Sequence, residues 1–256
     1  MNFTIMTLLL AGGLFFAVLL FLEIGRRIGL AALAKESKES ASGAGAIDAA
    51  VYGLLALLIA FTFSGAATRF EARRHLIVEE ANAIGTAYLR LDLLTAEAQK
   101  SLKEKFRLYV DSRLAAYRDV SDRDATKAAL ARSAAIQSEI WAEAVSAGRA
   151  VFPQPAAMLL LPALNQMIDI TTTRMVAMQN HPPSIIFVML IFLALLSALL
   201  AGYNMACSSS RIHMLVFAAI LSITVYVILD LEYPRLGLVQ IDAADHVLVE
   251  VRQSMK

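Results

Sequence analysis

Four apolar runs decide most of what this chain can become. Phe3–Leu22, Ile47–Thr68, Ser184–Ala206 and Ile212–Leu229 each approach the roughly 20 residues a helix needs to cross a hydrocarbon core. Composition agrees: 58% of the 256 residues are hydrophobic and the mean hydropathy is +0.62, more apolar surface than a soluble globule usually carries. The first run has no basic region ahead of it, exceeds the usual h-region of a secretory signal and meets no small-residue cleavage pattern, so it reads as a retained span. The fold class expected is all-α: a polytopic membrane protein with four transmembrane helices and lipid as its solvent.

The spacing of the runs sets the organisation. Residues 1–68 hold the first two spans and their connection, 69–183 a helical extramembrane domain, 184–231 the third and fourth spans, and 232–256 an amphipathic tail. The connection "AKESKESASGAGA" reads as flexible. No Pro or Gly pair stops the second span, so its helix is expected to run on into the domain. Phe70, Ile77, Ala81, Ile84, Tyr88 and Leu91 then fall on one face at 3.6-residue spacing. Thr95 suits the N-cap of a further helix to Tyr117, with Leu102, Phe106, Tyr109 and Tyr117 as its apolar side. Another is expected over Asp124–Ala147, before Pro153 and Pro155 break the chain. Ala156–Leu164 is too short to span and contains Pro162, so it packs on the domain or lies at the interface. Four spans put both termini and the domain on one side of the membrane. Basic residues flank both sides equally, and the first helix alone favours termini outside.

Signatures of catalysis are missing. His75, His181, His213 and His246 are too scattered for a metal-ligand spacing, and no GxSxG, Walker or GxGxxG motif occurs. Ser208–Ser210 beside Arg211 read as a turn at a membrane exit. A formal charge of +1 with a single cysteine, Cys207, points to no nucleic-acid partner, no disulfide and no CxxC site. The expectation is a protein that is not an enzyme and needs no cofactor or metal.

Packing and polar features say more. Ala194, Ala198, Gly202 and Ala206 on the third span, and Gly53, Ala56, Ala60, Ser64 and Ala67 on the second, form stripes of small residues that let helices approach closely, within one subunit or between two. Thr62, Ser64 and Thr68 either line a water-filled path or bond to backbone carbonyls. In the last span Ser222, Tyr226 and Asp230 share a face. Asp230 serves either in function or in a structural ion pair with Glu232 and Arg235 at headgroup level. Past the membrane exit come Arg73, Arg74, Glu79, Glu80 and Asn82. Adjacent helical residues point about 100° apart, so Glu79 and Glu80 do not converge on one substrate. Repeated around an axis, one such side chain per subunit becomes a ring of charge that selects ions.

The segments "GRRIG", "FTFSGAATRFEARR", "EEANAIGTAYLR", "LPALNQMIDITTTR", "HPP", "LLAGYNMA" and "LDLEYPRLGL", in this order and over nearly the whole chain, resemble the bacterial bestrophin-like integral membrane proteins, a family named for remote similarity to the bestrophin anion channels. The resemblance implies a pentamer in the bacterial cytoplasmic (inner) membrane, a pore lined by the second span with bulky apolar side chains at its constriction, and inorganic ions, chloride among them, as the conducted species. By this analogy Leu57, Leu58, Phe61 and Phe63 are candidates for the constriction and Thr62, Ser64 and Thr68 for the lining. It also places the large domain in the cytoplasm. The acidic calcium cluster of animal bestrophins has no counterpart here.

The leading expectation is therefore a homo-oligomeric ion channel. Arg73, Arg74, Glu79, Glu80 and Asn82 frame its mouth, while Asn165, Asp169 and Arg174 hold the following helix by ion pairs and hydrogen bonds. The rivals are a non-conducting scaffold or sensor that binds a protein through the helical domain, and a proton-coupled transporter using Asp230 and Tyr226.

Overall fold

The computed structural model describes residues 3–34, 44–118, 123–150, 155–207, 211–239 and 241–255. All regular structure among these residues is helical: α1 (Phe3–Leu33), α2 (Ala44–Arg90), α3 (Ala96–Arg118), α4 (Arg123–Ala150), α5 (Pro155–Gln179), α6 (Ser184–Asn204), α7 (Arg211–Glu232) and α8 (Asp242–Ser254), with one 3₁₀ turn over Leu91–Leu93. The glycine- and serine-rich connection after α1, the break between α4 and α5, and the turn at Ser208–Ser210 lie outside the described residues.

Four helical stretches are long and apolar enough to cross a membrane, and the protein is a multi-pass membrane protein. The chain divides into two compact units, the first made of Met1–Thr68 and His181–Leu238, the second of Arg69–Asn180 and Val239–Lys256.

In the first unit α1 packs against α6 and α7 around Val18, Leu22, Leu190, Ala194, Ala198, Ala218 and Ile228. Glycines set the closeness of the α1–α6 pair. A Cβ on Gly25 would strike the Leu199 carbonyl, one on Gly202 the Leu22 carbonyl, and one on Gly29 would lie 2.6 Å from the Tyr203 oxygen. From Gly25 to Gly29 the partners on α6 rise from Leu199 and Tyr203 to Tyr203 and Ala206, so α1 and α6 run parallel. The small-residue stripe of the third span is thus an intrachain contact: Ala194, Ala198, Gly202 and Ala206 are all buried. The stripe of the second span is not. Gly53, Ala56, Ala60 and Ser64 are exposed, and nothing lies within 4 Å of a Cβ built on Gly53.

The second unit has its own core. Ile77, Ala81, Ile84, Tyr88 and Leu91 meet Leu102, Phe106 and Tyr109 of α3, Ile136 and Ile140 of α4, and Leu160, Leu164 and Met167 of α5. The face read from 3.6-residue spacing is the face buried. Helix α3 begins immediately after Thr95. Pro162 sits inside α5 without ending it. Its missing N–H leaves a carbonyl four residues earlier without its donor, on the outward side where Met158 is exposed. The stretch Ala156–Leu164 therefore packs on the domain through Ala156, Leu160, Ala163 and Leu164. The tail after residue 239 is part of this unit: Leu248 and Met255 join its core, and Arg252 of α8 makes a bidentate pair with Asp111 of α3 at 2.7 and 3.0 Å.

Candidate functional site

Helix α2 carries most of the candidate residues, and its buried and exposed sides separate cleanly. Asp48, Leu55 and Ala66 are buried in the first unit, and Arg73, Ile77, Glu80, Ile84 and Leu91 in the second, each set recurring at helical spacing as a seam. On the opposite side Gly53, Leu57, Phe61, Ser64 and Thr68 are exposed in the first unit, and Glu71, His75, Glu79 and Asn82 in the second.

The residues expected to line a pore divide accordingly. Leu57, Phe61, Ser64 and Thr68 lie on the open side, Phe61 with 67% of its surface uncovered. Phe63 is exposed on a flank. Leu58 and Thr62 lie toward the seam and are half-buried. Two of the three hydroxyls donate to backbone carbonyls: Thr62 Oγ1 to those of Leu58 and Ile59 at 2.8 and 3.0 Å, and Thr68 Oγ1 to that of Ser64 at 2.8 Å.

The charges beyond the membrane exit also divide. Glu80, expected among charges facing an aqueous mouth, is fully buried. Arg113 Nε donates to its Oε1 at 2.6 Å, and Arg174 Nη1 donates to its Oε2. Both guanidinium groups lie over the Tyr117 ring, at 5.1 and 4.4 Å from its centre. The reason is placement: Glu80 falls on the seam of α2, one residue away from the exposed Glu79. Burial by itself would raise the Glu80 carboxyl, but the charges and hydrogen bonds of Arg174 and Arg113 outweigh it and hold it below the usual carboxylate range. Burial likewise works against the Arg113 charge, yet Glu80 keeps it raised.

Arg73 is buried as well. Its Nε donates to the Ala177 carbonyl and its Nη2 to the Asn180 carbonyl, both at 3.1 Å, so a cation caps the end of α5 where the carbonyls lack helical donors. Arg74, Glu79 and Asn82 stay exposed. Arg74 pairs with Glu71 at 2.9 Å and His75 with Glu79 at 3.1 Å, all on α2. Of the three residues expected to anchor the following helix, Arg174 does so through Glu80, whereas Asn165 and Asp169 are exposed.

In the first unit Asp230 and Glu232 are both buried. Asp230 Oδ1 accepts the Leu238 N–H at 2.8 Å, tying down the turn after α7. A Cβ on Gly237 would collide with that same oxygen. Glu232 Oε1 lies 2.9 Å from His181 Nδ1, and the His181 ring stacks on Tyr233 with centroids 4.6 Å apart. Asn204 of α6, unremarked in the sequence, donates from Nδ2 to Asp48 Oδ2 at 2.7 Å and ties α2 to α6. The signal for it was the lone buried-side carboxylate at the start of an apolar run.

The model of the bestrophin-like domain matches residues 38–245. The chain belongs to the bestrophin-like family. The match takes in the second, third and fourth spans of this bestrophin-like protein and the helices α3 to α5 between them. Comparison with curated proteins and with solved structures finds no match.

Proposed function

We propose that this bestrophin-like protein assembles as a homo-oligomer, a pentamer by family resemblance, in the bacterial inner membrane and conducts small inorganic ions along an axis lined by α2. The observation that carries the reading is the bareness of that helix. Only 11% of the most apolar stretch of α2 is buried by its own chain, against 33% for α7. The uncovered side is not uniformly greasy: Leu57 and Phe61 are followed by Ser64 and Thr68, an apolar constriction leading to hydroxyls. Next to it the small-residue stripe of Gly53, Ala56 and Ala60 offers a surface on which a neighbouring copy's helix can approach closely. The resemblance to bestrophins makes chloride the first ion to test. On this reading the chain performs no covalent chemistry.

Its test is ion flux through the purified protein in liposomes under potassium and chloride gradients, for the wild type and for Phe61→Ala. Flux that rises when the ring at Phe61 is trimmed supports a pore at α2. A folded oligomer that passes no ion under any gradient turns the reading toward a scaffold or sensor acting through the helical domain.

A further inference from the structure

The interior of the second unit gathers two cations around a single carboxylate. We propose that the cluster of Arg113 and Arg174 around Glu80 is a binding site for a small oxyanion, a carboxylate or a phosphate, whether or not the chain conducts ions.

Charge is the first reason. Glu80 gives Oε1 to Arg113 Nε and Oε2 to Arg174 Nη1. Its side chain is fully enclosed, and only 4% of each arginine side chain stays open. Arginine keeps its charge at every ordinary pH, so one carboxylate leaves one of the two cations unbalanced. The other groups acting on the Arg113 charge are the phenols of Tyr117 and Tyr109. Burial pushes the Tyr109 phenol up, which keeps it neutral, and its hydroxyl accepts a hydrogen bond from Gln137 Nε2 of α4 at 3.1 Å. Buried charge is costly unless paired. An anion arriving at this cluster removes that cost.

Geometry says which kind of anion fits. Arg113 spends Nε on Glu80 and Nη2 on the Tyr117 hydroxyl, and among the described residues its Nη1 has no acceptor. Arg174 spends only Nη1. One face of its guanidinium lies over the Tyr117 ring, 4.4 Å from the ring centre, so a ligand has to approach in the plane. The edge left for it, among the described residues, carries Nε and Nη2. Two parallel N–H groups on such an edge match the two oxygens of a carboxylate or phosphate. None of these three nitrogens is among the buried atoms shut off from water without a partner, so an oxygen the size of water reaches them. Chloride has a single centre to offer the same fork.

The experiment is calorimetric titration of the purified full-length protein with sodium acetate, sodium phosphate and sodium chloride in turn, at constant ionic strength, for the wild type and for Arg174→Lys. Lysine keeps a charge opposite Glu80 but has no fork. The expected result is saturable binding of acetate or phosphate to the wild type, tighter than that of chloride, and the tighter of the two oxyanions identifies the ligand class. Binding to Arg174→Lys is expected to weaken by about tenfold or more, the loss of one charge-assisted hydrogen bond. Should Arg174→Lys not fold, selenate soaked into wild-type crystals and located by its anomalous scattering gives the second reading, with the ion expected on the Nε and Nη2 edge of Arg174. A folded wild type that binds neither oxyanion, chloride bound as tightly as both, affinity unchanged in Arg174→Lys, or selenate bound only elsewhere overturns the inference.

Discussion

Glu80 of α2 and Arg113 of α3 meet at 2.6 Å with almost none of either side chain open to water. Arg174 closes the cluster from α5, so one carboxylate fastens three helices. A buried pair is weak evidence of net stabilisation, yet deleting one partner strands the others and costs about 3–5 kcal/mol. Glu80→Ala is expected to lower the thermal midpoint of the full chain by on the order of 10 °C, read by circular dichroism in detergent. Glu80→Lys, which places three cations together, is expected to fail in folding before any effect on ion selectivity can be measured.

The same cluster sets an acid limit. The Glu80 carboxyl is held below its ordinary value of 4.5 in the folded chain, so the unfolded chain binds this proton more readily. Its contribution is fully present above about pH 4.5 and is lost as pH falls through the lower folded value. Thermal midpoints measured from about pH 6 to about pH 3 should fall more steeply for the wild type than for Glu80→Gln. Parallel slopes would remove Glu80 from the acid response.

Glycines on α1, α2 and α6 should differ sharply in tolerance. Gly202→Val drives a side chain into the Leu22 backbone and Gly25→Val one into Leu199, which forces α1 and α6 apart. Both are expected to abolish recovery of folded protein. Gly53→Ala meets nothing in its own chain and gains up to about 1 kcal/mol of helix propensity. Its monomer fold should survive, and any effect should be confined to oligomer size, read by light scattering of the purified complex.

Asp230 and Gly237 should behave as a pair. Gly237→Ala pushes a methyl group against the Asp230 carboxylate and breaks the bond to the Leu238 N–H. A hydrogen bond to a charged group is worth about 1.5–3 kcal/mol, and a loss of stability of that order is expected for Gly237→Ala and for Asp230→Ala alike. A double variant no worse than either single one would establish the coupling. An additive loss would mean that the two residues act separately.

Lengths and periods are properties of a chain in one dimension, and what depended on them was legible. Four runs of lipid-spanning length gave the spans. The 3.6-residue recurrence of Ile77, Ile84, Tyr88 and Leu91 marked the buried face of α2, because a helix fixes which side each residue takes whatever packs against it. The resemblance read from "FTFSGAATRFEARR" and "LDLEYPRLGL" led to the family. What stayed out of reach was the partner of each charge. Glu79 and Glu80 are neighbours with identical side chains, and a rotation of about 100° sends one to water and the other to arginines 33 and 94 residues away. Two stripes of small residues looked alike in sequence, and only the tertiary structure set one of them against α1 and left the other bare. Pairings over such distances depend on how helices fold back on one another, which no local pattern encodes.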